Sequence, residues 1–199
     1  MRILLTGGSA CGKSTFAEHL VMQFAQPRYY VATMRSYDEE SLIKIARHQA
    51  ARREKGFETI ERDVDIASVE VPPGSTVLLE CLCNLTANEL IDGYNQVYLQ
   101  AYEKIIDGVM VLASRCANII VVTNDVGSGT AGGYDYSTNL YVEVLGRLNA
   151  ELAASFDVVY ELICGIPLLL KGKPVEVAAG GQPAAGSPTT AAHPREVAP

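Results

Sequence analysis

The densest chemistry in the chain lies in eight consecutive residues, Gly7, Gly8, Ser9, Ala10, Cys11, Gly12, Lys13 and Ser14. Glycines at positions 7 and 12 let a backbone curl until successive N–H groups face phosphate oxygens. Lys13 then reaches the β and γ phosphates as a point charge, and the Ser14 hydroxyl can take one coordination site of Mg²⁺. Two carboxylates follow apolar runs further along. Glu80 closes Val77-Leu78-Leu79, where a P-loop protein places an acidic residue that works with Mg²⁺ or a bound hydroxyl. Asp125, after Ile119 to Thr123, reads equally as a second such group or as a turn residue. His48 and Arg52 share one face if their segment is helical. An imidazole is a competent nucleophile toward phosphorus and arginines neutralise a triphosphate, but the spacing alone reads as a charged, solvated helix face.

These groups need a scaffold that brings them to one edge. Five short runs, Ile3 to Thr6, Tyr29 to Thr33, Thr76 to Glu80, Ile119 to Thr123 and Val158 to Ile163, are nearly continuous in apolar character. That is the mark of strands buried on both faces of a parallel sheet. Helical patterns alternate with them over Ser14 to Phe24, Tyr37 to Lys55, Ala87 to Ser114 and Asn139 to Ala154, with Gly93 and Gly108 as candidate breaks in the third. The alternation predicts an α/β, mostly parallel, doubly wound sheet with helices on both faces, and ligands at the carboxyl ends of its strands. Those ends carry the glycine-rich loop, Ala32-Thr33-Met34-Arg35, Glu80-Cys81, Asn124 to Gly127 and Cys164-Gly165. Pro167 to Lys171 follows a Gly-Ile-Pro turn and reads as an antiparallel edge strand.

A length of 199 residues suits one catalytic domain, and 48% hydrophobic content is enough to bury a core. The boundary is expected near Lys173, with a domain over 1–173 and a disordered Ala/Gly/Pro-rich tail over 174–199. A net charge of −7 and a pI near 5.0 argue against nucleic-acid partners, which usually demand a basic face. Five cysteines without a CxxC pair read as reduced core thiols rather than a metal site or a disulfide framework. Met1-Arg2 runs straight into the first apolar run and no stretch approaches a membrane span, so the expected location is cytoplasmic.

In order, TGGSACGKS, YVAT, RHQAAR, FETIE, LLECL, VTNDVGSG, GRLNAELA and CGIPLLLK make the chain resemble the cobinamide kinase/cobinamide-phosphate guanylyltransferase family from about Met1 to Lys173. The resemblance implies a P-loop NTPase (RecA-like) fold and an enzyme of cobalamin assembly. Such an enzyme phosphorylates adenosylcobinamide with ATP or GTP, then transfers GMP from GTP to the resulting phosphate through a guanylylated histidine, releasing pyrophosphate. His48 stands at the nucleophile's position. By the same resemblance Gly7 to Ser14 bind phosphates and Ala32, Thr33 and Met34 line the nucleotide site. Gln49, Ala50, Ala51 and Arg52 help hold GTP, and Glu61 and Glu80 contact the guanine nucleotide. A carboxylate facing guanine N1–H and N2–H₂ selects it over adenine; either Glu61 or Glu80 fits that role. A trimer is implied as well.

Three departures mark the acceptor side. VTNDVG replaces VTNEVG, the arginine usually found before GRLN is missing, and Phe57 stands for a tryptophan. Beside the bifunctional enzyme, two further readings follow: a guanylyltransferase without the kinase step, and a GTP-binding regulatory module without turnover.

Overall fold

Short aliphatic and β-branched runs bury their backbone polar groups by pairing with one another, and here they build one seven-stranded sheet. The computed structural model describes residues 1–35, 54–91, 96–126 and 134–176. Nearly all of the helix expected over Tyr37 to Lys55 lies outside those residues. So do His48, Gln49, Ala50, Ala51, Arg52 and Gly93, and the positions 127–133 and 177–199.

The strands are β1 (Arg2–Gly7), β2 (Arg28–Ala32), β3 (Phe57–Glu61), β4 (Thr76–Leu79), β5 (Asn118–Val122), β6 (Val158–Ile163) and β7 (Ile166–Lys171). They run in the order β3-β2-β4-β5-β1-β6-β7, and every pair is parallel except β6–β7. One strand, β5, is thus inserted between the loop-bearing β1 and the β4 strand that leads to Glu80. This is the RecA-like arrangement of the P-loop fold.

The described helices are α1 (Lys13–Val21), α2 (Leu82–Leu90), α3 (Ala101–Arg115) and α4 (Tyr136–Ser155), with a 3₁₀ turn at Ile66–Ser68. Strand side chains alternate between two cores. Leu4, Val31, Val77, Leu79, Ile119 and Val121 pack with α2, α3 and α4 on one face. Ile3, Leu5, Tyr30, Ala32, Leu78, Ile120 and Val122 pack with Ala17, Leu20 and Val21 of α1 on the other. Each fully buried aliphatic side chain contributes roughly 1.5–3 kcal/mol, so both faces hold the sheet rigid behind its carboxyl edge. The β6–β7 hairpin closes that side, and Val175 beyond it donates its N–H to the Tyr160 hydroxyl at 2.9 Å.

Two elements differ from the pattern reading. Phe57–Glu61 is a strand, although F-E-T-I-E lacks the apolar run that marks the others; as the sheet's edge it leaves Glu58 and Glu61 exposed. Ala87 to Ser114 is not one helix but α2 and α3, separated by residues that include an Ile91–Val97 bridge. Gly108 is no break: it is buried within α3, where a Cβ would lie 2.4 Å from Ile66 Cγ2. A glycine there lets the 3₁₀ turn press against the helix. Gly108→Ala is therefore expected to lose about 1–3 kcal/mol by urea unfolding, because overpacking outweighs the helix-propensity gain of about 1 kcal/mol. Ile66→Ala should relieve part of that loss in the double mutant; a stabilised Gly108→Ala would contradict the contact.

Candidate active site

The glycine-rich loop leaves β1 with backbone angles that ordinary residues avoid. Gly7 has φ +138°, and a Cβ there would meet the Leu162 carbonyl oxygen at 2.5 Å; Gly12 has φ +97°. Ala10 adopts the left-handed region at φ 56°, a strained conformation for a side-chain-bearing residue. Neighbouring strands brace the loop: Asp125 N–H donates to the Gly7 carbonyl at 3.2 Å, and Gly165 N–H donates to the Cys11 carbonyl at 2.9 Å. Gly12 caps α1 without a side chain, so the helix's first-turn N–H groups are left for a ligand.

Lys13 is the charge inside this cradle. Its side chain is buried at 6% exposure, with Nζ donating to the carbonyls of Gly7 at 2.9 Å and Gly8 at 2.5 Å and lying 3.6 Å from Cys11 Sγ. The loop carbonyls thus hold the ammonium where phosphate oxygens can replace them.

A cleft of about 370 Å³ opens over the loop. One wall is Ala10 to Thr15; the other is Glu80, Cys81, Asn84, Val122 and Asn124. Ser14 is exposed on the first wall, so its hydroxyl shares the cleft with the Glu80 carboxylate. Two hard oxygen donors suit Mg²⁺, which keeps waters and substrate phosphates as its remaining ligands. Among the described residues no cluster of three His, Cys, Asp or Glu could hold an ion by itself.

The remaining sequence-derived residues fall elsewhere. Glu61 pairs in register with Ala32 on β2–β3, at the sheet's far edge. At about 4.8 Å per strand it stands roughly 19 Å from β1, against roughly 10 Å for Glu80. Thr33 is fully buried: its hydroxyl donates to the Cys81 carbonyl at 2.9 Å, and its own carbonyl accepts from Asn88 Nδ2 at 2.8 Å. Its side chain therefore ties β2 to the cleft wall. Met34 is exposed, and Ala32 is core. The span 36–53, with His48 and Gln49 to Arg52, has anchored flanks. Arg35 pairs with Asp63 at 2.6 Å, and Lys55 pairs with Glu18 of α1. Burial opposes ionisation of Asp63, yet the Arg35 hydrogen bond and charge hold its carboxyl below the usual range.

A network of amides and thiols behind the second wall carries no motif. Asn149 on α4 accepts from the buried Thr123 hydroxyl at 2.7 Å and donates to the Asn124 carbonyl at 3.2 Å. Asn124 N–H donates to Cys83 Sγ at 3.2 Å. Hydrogen bonds from the Cys81 thiol, the Asn124 N–H and the Thr123 and Tyr141 hydroxyls hold the Cys83 thiol down to about 6, against burial. The same hydrogen bond to Cys83, together with partial burial, pushes the half-buried Cys81 thiol up. The sequence's one hint was the GRLN block that contains Asn149.

A left-handed glycine loop ending in Lys-Ser, set between a buried strand and a helix on a RecA-like sheet, defines a P-loop nucleotide-binding protein. The chain belongs to the family described as cobinamide kinase / cobinamide phosphate guanyltransferase, matched over residues 3–170. It is 31% identical over 184 residues to the bifunctional adenosylcobalamin biosynthesis protein CobU of Escherichia coli K12, covering 86% of this chain and all of that protein. The Salmonella typhimurium LT2 protein of the same name is 32% identical, with the same coverage. A solved KaiC-like protein from Pyrococcus horikoshii OT3 is similar at a TM-score of 0.46 and 13% identity, covering 80% of this chain and 71% of that one. The fold assignment rests on strand order and not on that likeness. The chain is accordingly a transferase of cobalamin biosynthesis. No helix among the described residues is long and apolar enough to cross a membrane.

Asn149→Ala leaves the Thr123 hydroxyl and the Asn124 carbonyl without this partner and is expected to lose about 1–3 kcal/mol. Urea unfolding reads this, and an unchanged midpoint would show that the clamp holds nothing.

Proposed function

We propose that the protein phosphorylates adenosylcobinamide with ATP or GTP and then transfers GMP from GTP to adenosylcobinamide phosphate by double displacement. The observation that carries this reading is the convergence of Lys13, Ser14 and Glu80 on one cleft in a chain of this family. In the transfer, a His48 ring nitrogen attacks the α phosphorus in line. A P–N bond forms, the bond to the β-phosphate oxygen breaks, and pyrophosphate leaves. Lys13, drawn from the Gly7 and Gly8 carbonyls onto the phosphates, and the first-turn N–H groups of α1 offset the charge that develops. An oxygen of the acceptor's phosphate then attacks the same phosphorus. The P–N bond breaks and imidazole is regenerated.

Ser14 and Glu80 would hold Mg²⁺, which supplies charge neutralisation at the phosphate oxygens when bound. Because Glu80 shares the phosphate cleft and Glu61 lies strands away, Glu61 is the better candidate for reading the guanine edge. Gln49, Ala50, Ala51 and Arg52 complete the GTP site in this reading, and Ala32, Thr33 and Met34 line it through backbone. In the kinase step positioning and charge neutralisation do most of the work. The catalytic unit is 1–173, acting in the cytoplasm as a homo-oligomer; the exposed apolar strand β7, with Ile166, Leu168 and Leu170 uncovered, supports the latter.

GTP labelled at the α phosphate, incubated with the protein and Mg²⁺ without corrinoid, is expected to leave a label that survives denaturation and is lost in acid. His48→Ala should take none. Equal labelling of the variant would remove His48 from the mechanism.

A further inference from the structure

The second wall of the cleft carries two carboxamides that the proposed mechanism does not use, Asn84 and Asn124. Asn84 sits in the first turn of α2, where its backbone N–H donates to Cys81 Sγ at 3.4 Å. Asn124 is fixed on both sides, by Cys83 Sγ at its N–H and Asn149 Nδ2 at its carbonyl. Their backbones are thus held, while neither side-chain amide has a hydrogen-bond partner among the described residues. Both residues line the cleft opposite the phosphate loop, and each amide carries two N–H donors and an acceptor oxygen.

We propose that Asn84 and Asn124 bind the reacting end of the acceptor and let one site take it first as an alcohol and then as a phosphate. The inference rests on the two-step reading above. A kinase step followed by transfer to its product requires one terminus to be held in two chemical forms. A hydroxyl both donates and accepts; a phosphate monoester only accepts and carries a charge of about −1.5 to −2. Carboxylates alone on this wall would repel the second form. A neutral carboxamide turns its oxygen to the alcohol or its NH₂ to the phosphate and suits both. The first wall already supplies N–H groups and Lys13 to the nucleotide's phosphates, so the opposite wall is left for the acceptor. A cleft of about 370 Å³ admits a phosphate chain and a slender arm, and the corrin ring stays outside.

Asn84→Asp, Asn124→Asp and the corresponding Leu variants of the full chain test this. Three quantities are compared: KM for cobinamide with ATP, KM for cobinamide phosphate on guanylylated protein, and acceptor-free labelling from α-labelled GTP. Each Asp variant should raise KM for the phosphate about tenfold or more through like-charge repulsion while moving KM for the alcohol by less than about threefold. Each Leu variant should raise both. Labelling follows wild type in all four, which also reports a folded loop. Asp variants that treat the two acceptors alike overturn the proposal. So does a loss of labelling in step with the loss of transfer, which would assign the amides to the nucleotide. If wild-type protein takes no label, the double-displacement reading falls and the kinase arm decides. An unchanged KM for cobinamide in both Leu variants then overturns the amides' role.

Discussion

A buried ammonium held by carbonyls of its own loop is the interaction on which this structure turns. Lys13 cannot be withdrawn from water without acceptors. Gly7 and Gly8 supply them only because Gly7 reaches φ +138° beneath the Leu162 carbonyl, where a Cβ has no room. The strain is sustained by neighbours: Asp125 N–H on the Gly7 carbonyl and Gly165 N–H on the Cys11 carbonyl join the loop to β5 and to the β6–β7 turn. In the proposed nucleotide complex this cation, already withdrawn from water, exchanges the Gly7 and Gly8 carbonyls for phosphate oxygens.

Everything else in the cleft follows from where the sheet puts it. With β5 between β1 and β4, Glu80 lands across the loop rather than against it, leaving an open cleft of about 370 Å³ between them. The pieces of that far wall are bound to one another: Thr33 to Cys81, Asn88 to Thr33 and Asp63, Asn149 to Thr123 and Asn124. Helices α2 and α4 therefore position the carboxyl ends of β2 and β5 as well as covering the sheet.

The apolar runs, the loop and the antiparallel edge strand were legible in the sequence because each is a local pattern. Strand β3 was not, since Phe57–Glu61 has neither a continuous apolar run nor a period-2 alternation, and an edge strand needs burial on fewer sides. The division between α2 and α3 was legible in part: the candidate break Gly93 falls between Leu90 and Ala101, but apolar residues continue past Leu90 and the periodicity alone cannot mark where either helix ends. That Lys13, Ser14 and Glu80 line one cleft could be read from spacing. The Asn149 clamp could not, because its bonds span 26 and 25 residues and depend on which helix lies over which strand. Glu61 and Glu80 look alike in sequence, and only strand order separates their distances from the loop.

The most direct test of the buried cation's role is the equilibrium affinity of wild type and Lys13→Ala for Mg·GTP and for GMP, measured by calorimetry. Loss of a charge-assisted contact to the outer phosphates should weaken GTP binding by roughly 10- to 100-fold and leave GMP within about threefold. Equal GTP affinity in the two proteins would contradict the assignment of the loop and of everything built upon it.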